Sequence, residues 1–407
     1  MYKSKLILLA VVASLLMLGL SGCAGRVDPN RLSRGLKVSK EVKVPTDVEL
    51  SIYIPKNMQE AEFFMKYSGY RVEPGRALKE AVMSVSDNFF PAVSLFDTTK
   101  PKQFGLLLDI QPEWDFEYGK VILTLDYRVL DTNQNVLLEA SVTEKSSRDY
   151  NDPTGAFYNA AVRSSQKVIV KILNALKPSA EKFAATNSTS SLNFSQLANM
   201  DKPVSTGTAF WINGKGNLVT AAHVINNCLV LKAKDGDKIF DVNIDKTSQL
   251  LDVAVLKTEK TSRNYLKFRL HSDFVLGEKV LTVSYPLNGL LDASPNLTFG
   301  NVSSKKALSG SLGLFQFSAP IQPGSSGGAV VSEQGEILGI VSSTLRANSL
   351  AEKGIIPQNI NFALENKFIR KFLTKNQVAY HTLKRSRKNA VGTELASKAT
   401  VQLSCYQ

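Results

Sequence analysis

The stretch that decides the fold is Pro323-Gly324-Ser325-Ser326-Gly327-Gly328-Ala329-Val330, in which a serine stands among glycines. Gly324 allows a tight turn with its N–H exposed, so the amides of Gly324 and Ser326 can converge on an oxygen that gains negative charge. Gly327 and Gly328 have no side chains and leave the approach to Ser326 open. The pattern predicts a nucleophilic serine with an anion-binding pair of amides beside it.

A histidine and an aspartate with fitting neighbours precede this turn. His223 follows two alanines at the end of a predicted hairpin, and such small neighbours leave room for a nucleophile beside the imidazole. Asp252 stands in the apolar run Leu250 to Lys257, where burying a carboxylate is costly unless some group donates to it. The imidazole Nδ1–H of His223 would be that donor. The order His, Asp, Ser with these flanks predicts a catalytic triad of His223, Asp252 and Ser326.

From about Gly207 to Phe372 the sequence resembles the trypsin-like, chymotrypsin-fold serine peptidases, closest to the bacterial HtrA/Deg type. Two positions depart from the usual pattern, since Ala209 replaces a glycine and Ser325 replaces an asparagine. The resemblance implies an all-β double-barrel peptidase domain, here without a PDZ domain, that hydrolyses peptide bonds in protein or peptide substrates. The segments that carry it are Thr220-Ala221-Ala222-His223-Val224, Asp252-Val253-Ala254-Val255 and Gly324-Ser325-Ser326-Gly327-Gly328.

The resemblance also assigns the roles at the site. Ser326 would attack the carbonyl, His223 would take and return the proton, and Asp252 would fix the imidazole tautomer. The amides of Gly324 and Ser326 would form the oxyanion hole. No metal or organic cofactor is needed for this chemistry.

The same resemblance places Pro320, six residues before the nucleophile, at the floor of the specificity pocket, with Ile321 beside it. A carboxylate would be needed there to hold Lys or Arg, and none is present. Small or medium apolar side chains are therefore expected before the cleaved bond. The alternative is that Pro320 only shapes its loop.

The serine turn also allows two other interpretations, one of its fold and one of its function. Gly324-x-Ser326-x-Gly328 also fits the nucleophile elbow of α/β-hydrolases, which requires a helix directly after the serine and a later histidine. The residues after Ser326 instead predict strand, turn and strand, and the only later histidine, His381, lies in a basic tail. The competing function is a catalytically silent trypsin-like scaffold or binding lipoprotein of the envelope.

The N-terminus has the layout of an export signal. The apolar run Leu6 to Leu18 follows two lysines and precedes Leu20-Ser21-Gly22-Cys23, which resembles the lipobox of bacterial lipoproteins. That resemblance implies cleavage before Cys23, diacylglycerol on its thiol and a fatty acid such as palmitate on its new amine, which holds the protein on a membrane. Ala24 indicates the outer membrane, at its periplasmic face or the cell surface. The alternative is an ordinary secretory signal whose cysteine is incidental.

Charge and ligand counts restrict the partners. The 407 residues include 49 Lys and Arg against 36 Asp and Glu, a net charge of +13 that favours anionic surroundings. Eight basic residues and no acid lie between Asn366 and Asn389, which is typical of a solvated face or of contact with a membrane surface. Nucleic acid is a poor partner for an exported protein. Three cysteines and three unclustered histidines predict no metal centre.

The residues before the peptidase-like region predict a separate α+β domain of order β-α-β-β-β-α. It contains neither histidine nor a catalytic spacing of residues, so a spacer role or the binding of another envelope protein is expected. A stretch rich in Ser, Thr, Asn and Ala then predicts a linker. The predicted divisions are a signal peptide at 1–22, a spacer at 23–43, the α+β domain at 44–178, a linker at 179–205, the peptidase domain at 206–375 and a basic tail with a C-terminal strand at 376–407.

The last residues provide one further hypothesis. HtrA-type domains usually begin with a helix and a strand before the first hairpin, and no such strand precedes Gly207 here. Residues 399–405 would supply that strand from the C-terminal end. Cys405 could then meet Cys228, just beyond His223, and an exported protein would let them oxidise. The alternative is two free or unrelated cysteines.

Overall fold

The computed structural model contains two compact units, Met1–Leu197 and Ala198–Gln407. No helix among the residues it describes is long and apolar enough to cross a membrane. The predicted signal peptide and Cys23 lie outside those residues, and so does the centre of the predicted linker. The structure describes residues 25–65, 70–117, 119–147, 152, 154–185, 193–271, 273–286, 294–306, 313–342, 359–383 and 392–407.

The first unit is built on a five-stranded sheet of order β4-β1-β5-β6-β7, with helices α2 and α3 contributing to its core. Alternate residues of the central strands, such as Leu108 and Leu125, are fully buried in that core against Val82 and Ile169 of the helices. This confirms the α+β prediction, while α1, β2, β3 and β4 are short elements that the sequence did not predict. The elements are β1 Leu50–Tyr53, α1 Lys56–Gln59, β2 Phe63–Met65, β3 Tyr70–Val72, α2 Pro74–Ser86, β4 Val93–Leu95, β5 Leu106–Glu117, β6 Lys120–Leu130, β7 Val136–Ser147, α3 Gly155–Leu176 and a 3₁₀ helix Phe194–Leu197.

Strand β5 is longer than the apolar run that predicts it, because it continues through Pro112. Strand β1 pairs with β5 only as far as Asp109, so the described pairing beyond that point is to β6 alone. A proline is tolerated where one edge of a strand carries no partner, since its missing N–H is not needed there.

The predicted spacer is not a free segment, because residues 25–41 lie along helix α3. Three amide side chains of the helix each accept a bond from one backbone N–H of the segment and donate to one of its carbonyls. These contacts make the segment part of the first unit, and it is called the strap below. Asn159 bonds to Val27 N and Gly25 O, Gln166 to Ser33 N and Arg31 O, and Asn174 to Ser39 N and Lys37 O, over 2.7 to 3.3 Å.

Two parts of the predicted linker, near Ala180 and near Phe194, also pack on the first unit. Ala180 N donates to the Asp47 carboxylate at 2.8 Å, and the Phe194 ring meets Phe96 edge-on at 5.5 Å between ring centres. Sequence composition does not predict these contacts because they join residues far apart in the chain.

The second unit contains two predominantly antiparallel sheets, which confirms the prediction of a β-rich peptidase domain after the α+β domain. The first has the order β11-β10-β22-β8-β9-β13-β12 and the second the order β18-β15-β16-β17-β20-β19-β14-β21. Its elements are β8 Ser205–Trp211, β9 Asn217–Thr220, a 3₁₀ helix Ala222–Ile225, β10 Val230–Asp235, β11 Lys238–Asp241, β12 Asn243–Ser248, β13 Val253–Lys257, β14 Lys267–Arg269, β15 Lys279–Ser284, β16 Asn296–Ser304, β17 Leu314–Phe317, β18 Ala329–Ser332, β19 Glu336–Ser342, β20 Asn361–Glu365, α4 Asn366–Lys375, β21 Thr382–Leu383, α5 Gly392–Ala399 and β22 Thr400–Tyr406.

The C-terminal strand β22 lies inside the first of these sheets, between β8 and β10. It pairs antiparallel with both, and Val401 and Leu403 are fully buried among the side chains of that sheet. The Cys405 sulfur, also buried, is bonded to that of Cys228 at 1.99 Å. The end of the chain is thereby joined to the segment that follows His223.

Helix α4 carries four of the eight basic residues that lie between Asn366 and Asn389. Its apolar side chains Ile369 and Leu373 are fully buried, while Lys371 and Lys375 are exposed. The lysines and arginines at 384, 385, 387 and 388 lie outside the described residues.

Candidate active site

His223 and Asp252 form a bonded pair. The imidazole Nδ1 lies 2.9 Å from Asp252 Oδ1 and 2.8 Å from Oδ2, and the backbone N–H of His223 donates to Oδ1 at 2.9 Å. A carboxylate only accepts hydrogen bonds, so Nδ1 carries the proton and Nε2 of the neutral ring is left as an acceptor. The aspartate thus orients the ring and selects its tautomer.

Asp252 differs in one respect from the sequence prediction, which put it within a strand. Strand β13 begins at Val253, and Asp252 is in the preceding turn with φ +50°. Aspartate is among the residues that adopt this left-handed conformation more easily. The turn gives the carboxylate a direction that a regular strand residue would not have, while its side chain stays mostly buried, at 23% exposed.

Ser342, at the end of β19, is a further hydrogen-bond partner of this carboxylate. Its hydroxyl donates to Asp252 Oδ2 at 3.0 Å. Burial of Asp252 raises the pKa of its carboxyl, but bonding to His223 and to the Ser342 hydroxyl outweighs burial, so that pKa lies below its usual range. The bond from Ser342 was not predicted from the sequence, since a serine after an apolar strand carries no local signal of such a role.

The serine turn has the features of a type II turn. Ser325 N–H donates to Gln322 O at 2.9 Å, Pro323 occupies the second position, and Gly324 the third with φ +96°. Only a residue without a side chain takes that φ at no steric cost. Among the described residues, the N–H groups of Gly324 and Ser326 have no acceptor. They are the two amides that were predicted to form the oxyanion hole.

Glycines allow the serine turn to approach the strands that lead to His223. A Cβ on Gly327 would lie 2.2 Å from Thr220 Oγ1 and 2.3 Å from Thr208 O, and φ at Gly327 is +84°. A Cβ on Gly207 would lie 2.5 Å from the side chain of Val224, the residue after His223, and 3.2 Å from Ser326 O. The two glycines therefore permit the close packing that brings the serine turn to this end of the barrel.

Backbone bonds connect the turn to the same two regions. Ser326 O accepts from Thr208 N at 2.9 Å, and in β19 Val341 exchanges bonds with Gly327 and Gly328. Val341 precedes Ser342, so adjacent residues of one strand hold the serine turn and the Asp252 carboxylate. Within the described part of the chain, however, no hydrogen bond joins Ser326 Oγ to His223 Nε2.

The two residues of the predicted specificity pocket lie close to this turn in sequence. Pro320 is exposed, and its carbonyl accepts from Thr298 Oγ1 at 2.8 Å, while Ile321 is half-buried against the core that contains Phe315 and Phe317. This anchors the loop to strand β16.

The remaining histidines lie apart from the Asp252 pair in their contacts. His271 is exposed, and His381 stacks on Tyr265 with ring centres 5.0 Å apart.

Residues 207–340 match the family model of the trypsin-like peptidase domain. Serine endoprotease DegS of Escherichia coli is 28% identical over 235 residues, which cover 56% of this chain and 59% of its own. An uncharacterized protein of Sinorhizobium fredii is 38% identical over 171 residues, or 42% of this chain and 27% of its own. The solved structure of the serine endoprotease from Yersinia pestis is 26% identical with a TM-score of 0.36, covering 42% of this chain and 58% of its own.

The residues matched by the family model include His223, Asp252 and the serine turn. The chain therefore contains a trypsin-like serine peptidase domain, and the curated proteins it is similar to include serine proteases of the HtrA type. It spans less than two thirds of the length of each of the two curated relatives named above.

Proposed function

We propose that the protein is a lipid-anchored serine endopeptidase of the cell envelope, with Ser326 as nucleophile. The observation that carries the proposal is the bonding of Asp252 to His223 Nδ1 next to a serine turn whose two amides have no described acceptor. Buried or half-buried amides that point at no protein group are suited to a charge that forms only during a reaction.

The reaction follows from these groups. Ser326 Oγ attacks the peptide carbonyl carbon while its proton passes to His223 Nε2, and the carbonyl oxygen takes its charge to the amides of Gly324 and Ser326. The C–N bond breaks as the imidazolium gives that proton to the leaving amine. Water then attacks the acyl-enzyme, His223 takes its proton, and Ser326 regains a proton as the acid leaves. Asp252 stabilises the imidazolium at both stages.

The relatives named as serine endoproteases support protein or peptide substrates. Apolar pocket residues at Pro320 and Ile321 favour small or medium apolar side chains before the cleaved bond. Mapping the termini of cleaved casein by mass spectrometry tests this preference, and cleavage after Lys or Arg would overturn it.

The anchor and the envelope location rest on the sequence Leu20-Ser21-Gly22-Cys23. Cys23 is two residues before Gly25, the first residue of the strap, so no more than ~7 Å of chain separates them. A lipid on Cys23 would then hold the first unit close to the membrane, where that unit could bind another envelope protein. Mass spectrometry of the N-terminal peptide tests this, with Cys23→Ala as the control that cannot carry the thioether.

Labelling by a fluorophosphonate tests the peptidase proposal, because Ser326 Oγ displaces fluoride only when His223 accepts its proton. Native protein should label at one serine and cleave fluorescein-labelled casein, and Ser326→Ala should do neither. Ser303→Ala, at an exposed serine of β16, is the matched control and should retain both. Native protein that neither labels nor cleaves would favour the catalytically silent scaffold.

A further inference from the structure

Two bonds between the first and last residues of the serine turn fix its ends. Ser325 N–H donates to Gln322 O at 2.9 Å, and Gln322 N–H donates to Ser325 Oγ at 3.2 Å. The ring of Pro323 fixes its own φ between them. Rotation within the turn is therefore left mainly to the Pro323–Gly324 peptide.

Thr208, on strand β8, holds the next peptide of the turn. Its side chain is fully buried, and its hydroxyl lies 2.8 Å from Gly324 O and 3.0 Å from Tyr285 N. A backbone N–H can only donate, so the hydroxyl accepts from Tyr285 and its single proton must go to Gly324 O. The Gly324–Ser325 peptide is then held at its oxygen by Thr208 and at its nitrogen by Gln322 O.

Ser284, at the end of β15, holds the side chain of Ser325. Its hydroxyl donates to Ser325 Oγ at 2.9 Å, and both serines are at least 95% buried. Ser325 is the residue that replaces the asparagine usual in the resembled family. Hydroxyls from β8 and β15 thus bind the turn at Gly324 O and at Ser325 Oγ, and leave its two free amides unbonded.

The peptide between Pro323 and Gly324 is the exception. Neither Pro323 O nor Gly324 N–H has a partner among the described residues. Turning this peptide over would move Gly324 N–H away from Ser326 N–H and would require Gly324 to leave φ +96° while its carbonyl stays bound to Thr208. The bonds of Thr208 do not reach this peptide; they hold the next one, between Gly324 and Ser325, which lies between the two free amides and sets how far apart they are.

We infer that Thr208 and Ser284 are positioning residues of the oxyanion hole, because they hold the peptide and the side chain that lie between its two amides. The inference rests on the proposed function. It implies that loss of the Thr208 hydroxyl slows the reaction by loosening the spacing of the two amides, although both amides remain.

The test is the second-order rate of fluorophosphonate labelling of the full chain. Thr208→Val keeps the shape of the side chain but frees Gly324 O, and labelling should slow ~100-fold, the loss typical of one oxyanion donor. Thr208→Ser restores the hydroxyl and should return the rate to within about threefold. Ser284→Ala should slow labelling by a smaller factor of about ten, because Gln322 N–H still binds Ser325 Oγ.

Thr282→Val is the matched control. Thr282 is also fully buried, lies two residues before Ser284 in β15, and its hydroxyl has no partner in the described structure. It should label at the native rate. The casein assay adds a second readout, in which Thr208→Val should lower kcat and leave KM nearly unchanged, as loss of a transition-state contact requires.

Three results would overturn the inference. One is Thr208→Val labelling as fast as Thr208→Ser, and another is a rate that falls equally in Thr282→Val. The third is Ser284→Ala that labels as fast as native protein. If Thr208→Val does not fold, the comparison of native protein with Ser284→Ala and Thr282→Val decides. Native protein that never labels contradicts the proposed function instead.

Discussion

The strap on helix α3 and the serine turn are both held by polar contacts, but they use their polar groups differently. In the strap, Asn159, Gln166 and Asn174 each satisfy one backbone N–H and one carbonyl. At the turn, Gly324 and Ser326 keep amides with no acceptor in the described structure, while Gly324 O, Ser326 O and the Ser325 hydroxyl are bonded.

The difference distinguishes polar groups that stabilise the fold from polar groups that are available to a ligand or transition state. An orphaned polar group in a folded protein costs free energy, so complete pairing is expected where stability alone is at stake. Unpaired amides held in place by paired neighbours are expected where a ligand or transition state will complete them. Substitutions at the turn should therefore change rates more than stability, and those at the strap should do the reverse.

Asp252→Asn should give the largest effect on rate. An asparagine can present its NH₂ to His223 Nδ1 and so favour the wrong tautomer, which lowered kcat by ~10⁴ in the trypsin case. Casein cleavage and fluorophosphonate labelling near neutral pH measure the loss. Asp241→Asn, at an exposed aspartate of β11, should leave both unchanged. Native-like activity in Asp252→Asn would mean that the bond to His223 has no catalytic role.

Gly327→Ala should affect both properties, because it breaks the packing beneath the turn. The added methyl would lie 2.2 Å from Thr220 Oγ1 at a φ of +84°, and a clash with strain of this kind costs ~3 kcal/mol. Urea unfolding of the second unit measures the free energy, and labelling measures the site. Gly214→Ala is the matched control, since its methyl would meet only Ser262 O at an ordinary 3.4 Å. A fully stable and active Gly327→Ala would contradict the close approach.

The fold of the second unit could be predicted because its decisive residues are local motifs. The glycines around Ser326, the alanines before His223 and the alternating strands are all recorded in short stretches of sequence. The roles of His223, Asp252 and Ser326 stay a prediction until they are tested, but the structure places the first two in contact. The position of Asp252 ahead of its strand was not predictable, because apolar neighbours gave no sign of its positive φ.

Contacts that join distant residues could not be predicted. Ser342 reaches Asp252 across 90 positions, and Gln166 reaches Ser33 across 133, so neither has a local pattern. A partial signal for the strap was present in Asn159 and Gln166, which are buried polar residues seven positions apart on one face of an apolar helix. Side chains of that kind need partners, and the partners could have been sought in the preceding segment.

Gln166→Ala should change stability without changing the site. It removes three bonds to the strap and leaves Ser33 N–H and Arg31 O without their partner, a loss of about 2 kcal/mol in the free energy of unfolding of the first unit. Urea unfolding measures it, and fluorophosphonate labelling should be native. Lys171→Ala, at an exposed position of the same helix, should be neutral in both. A slower labelling rate in Gln166→Ala would contradict the division between the two regions.

The smallest effect concerns pH. The folded state holds the pKa of Asp252 below that of an unfolded aspartate, so the ionised carboxylate contributes stability above pH ~4 that is lost as pH falls through the lowered value. Asp252→Asn has no such group, so its free energy of unfolding should lie below that of native protein at pH 6, and the difference should be smaller at pH 3. The substitution Gln166→Ala removes no titrating group, so the deficit in its free energy of unfolding relative to native protein should be the same at both pH values. A deficit of Asp252→Asn that did not shrink on acidification would show that the carboxylate gains no stability from its bonds to His223 and Ser342.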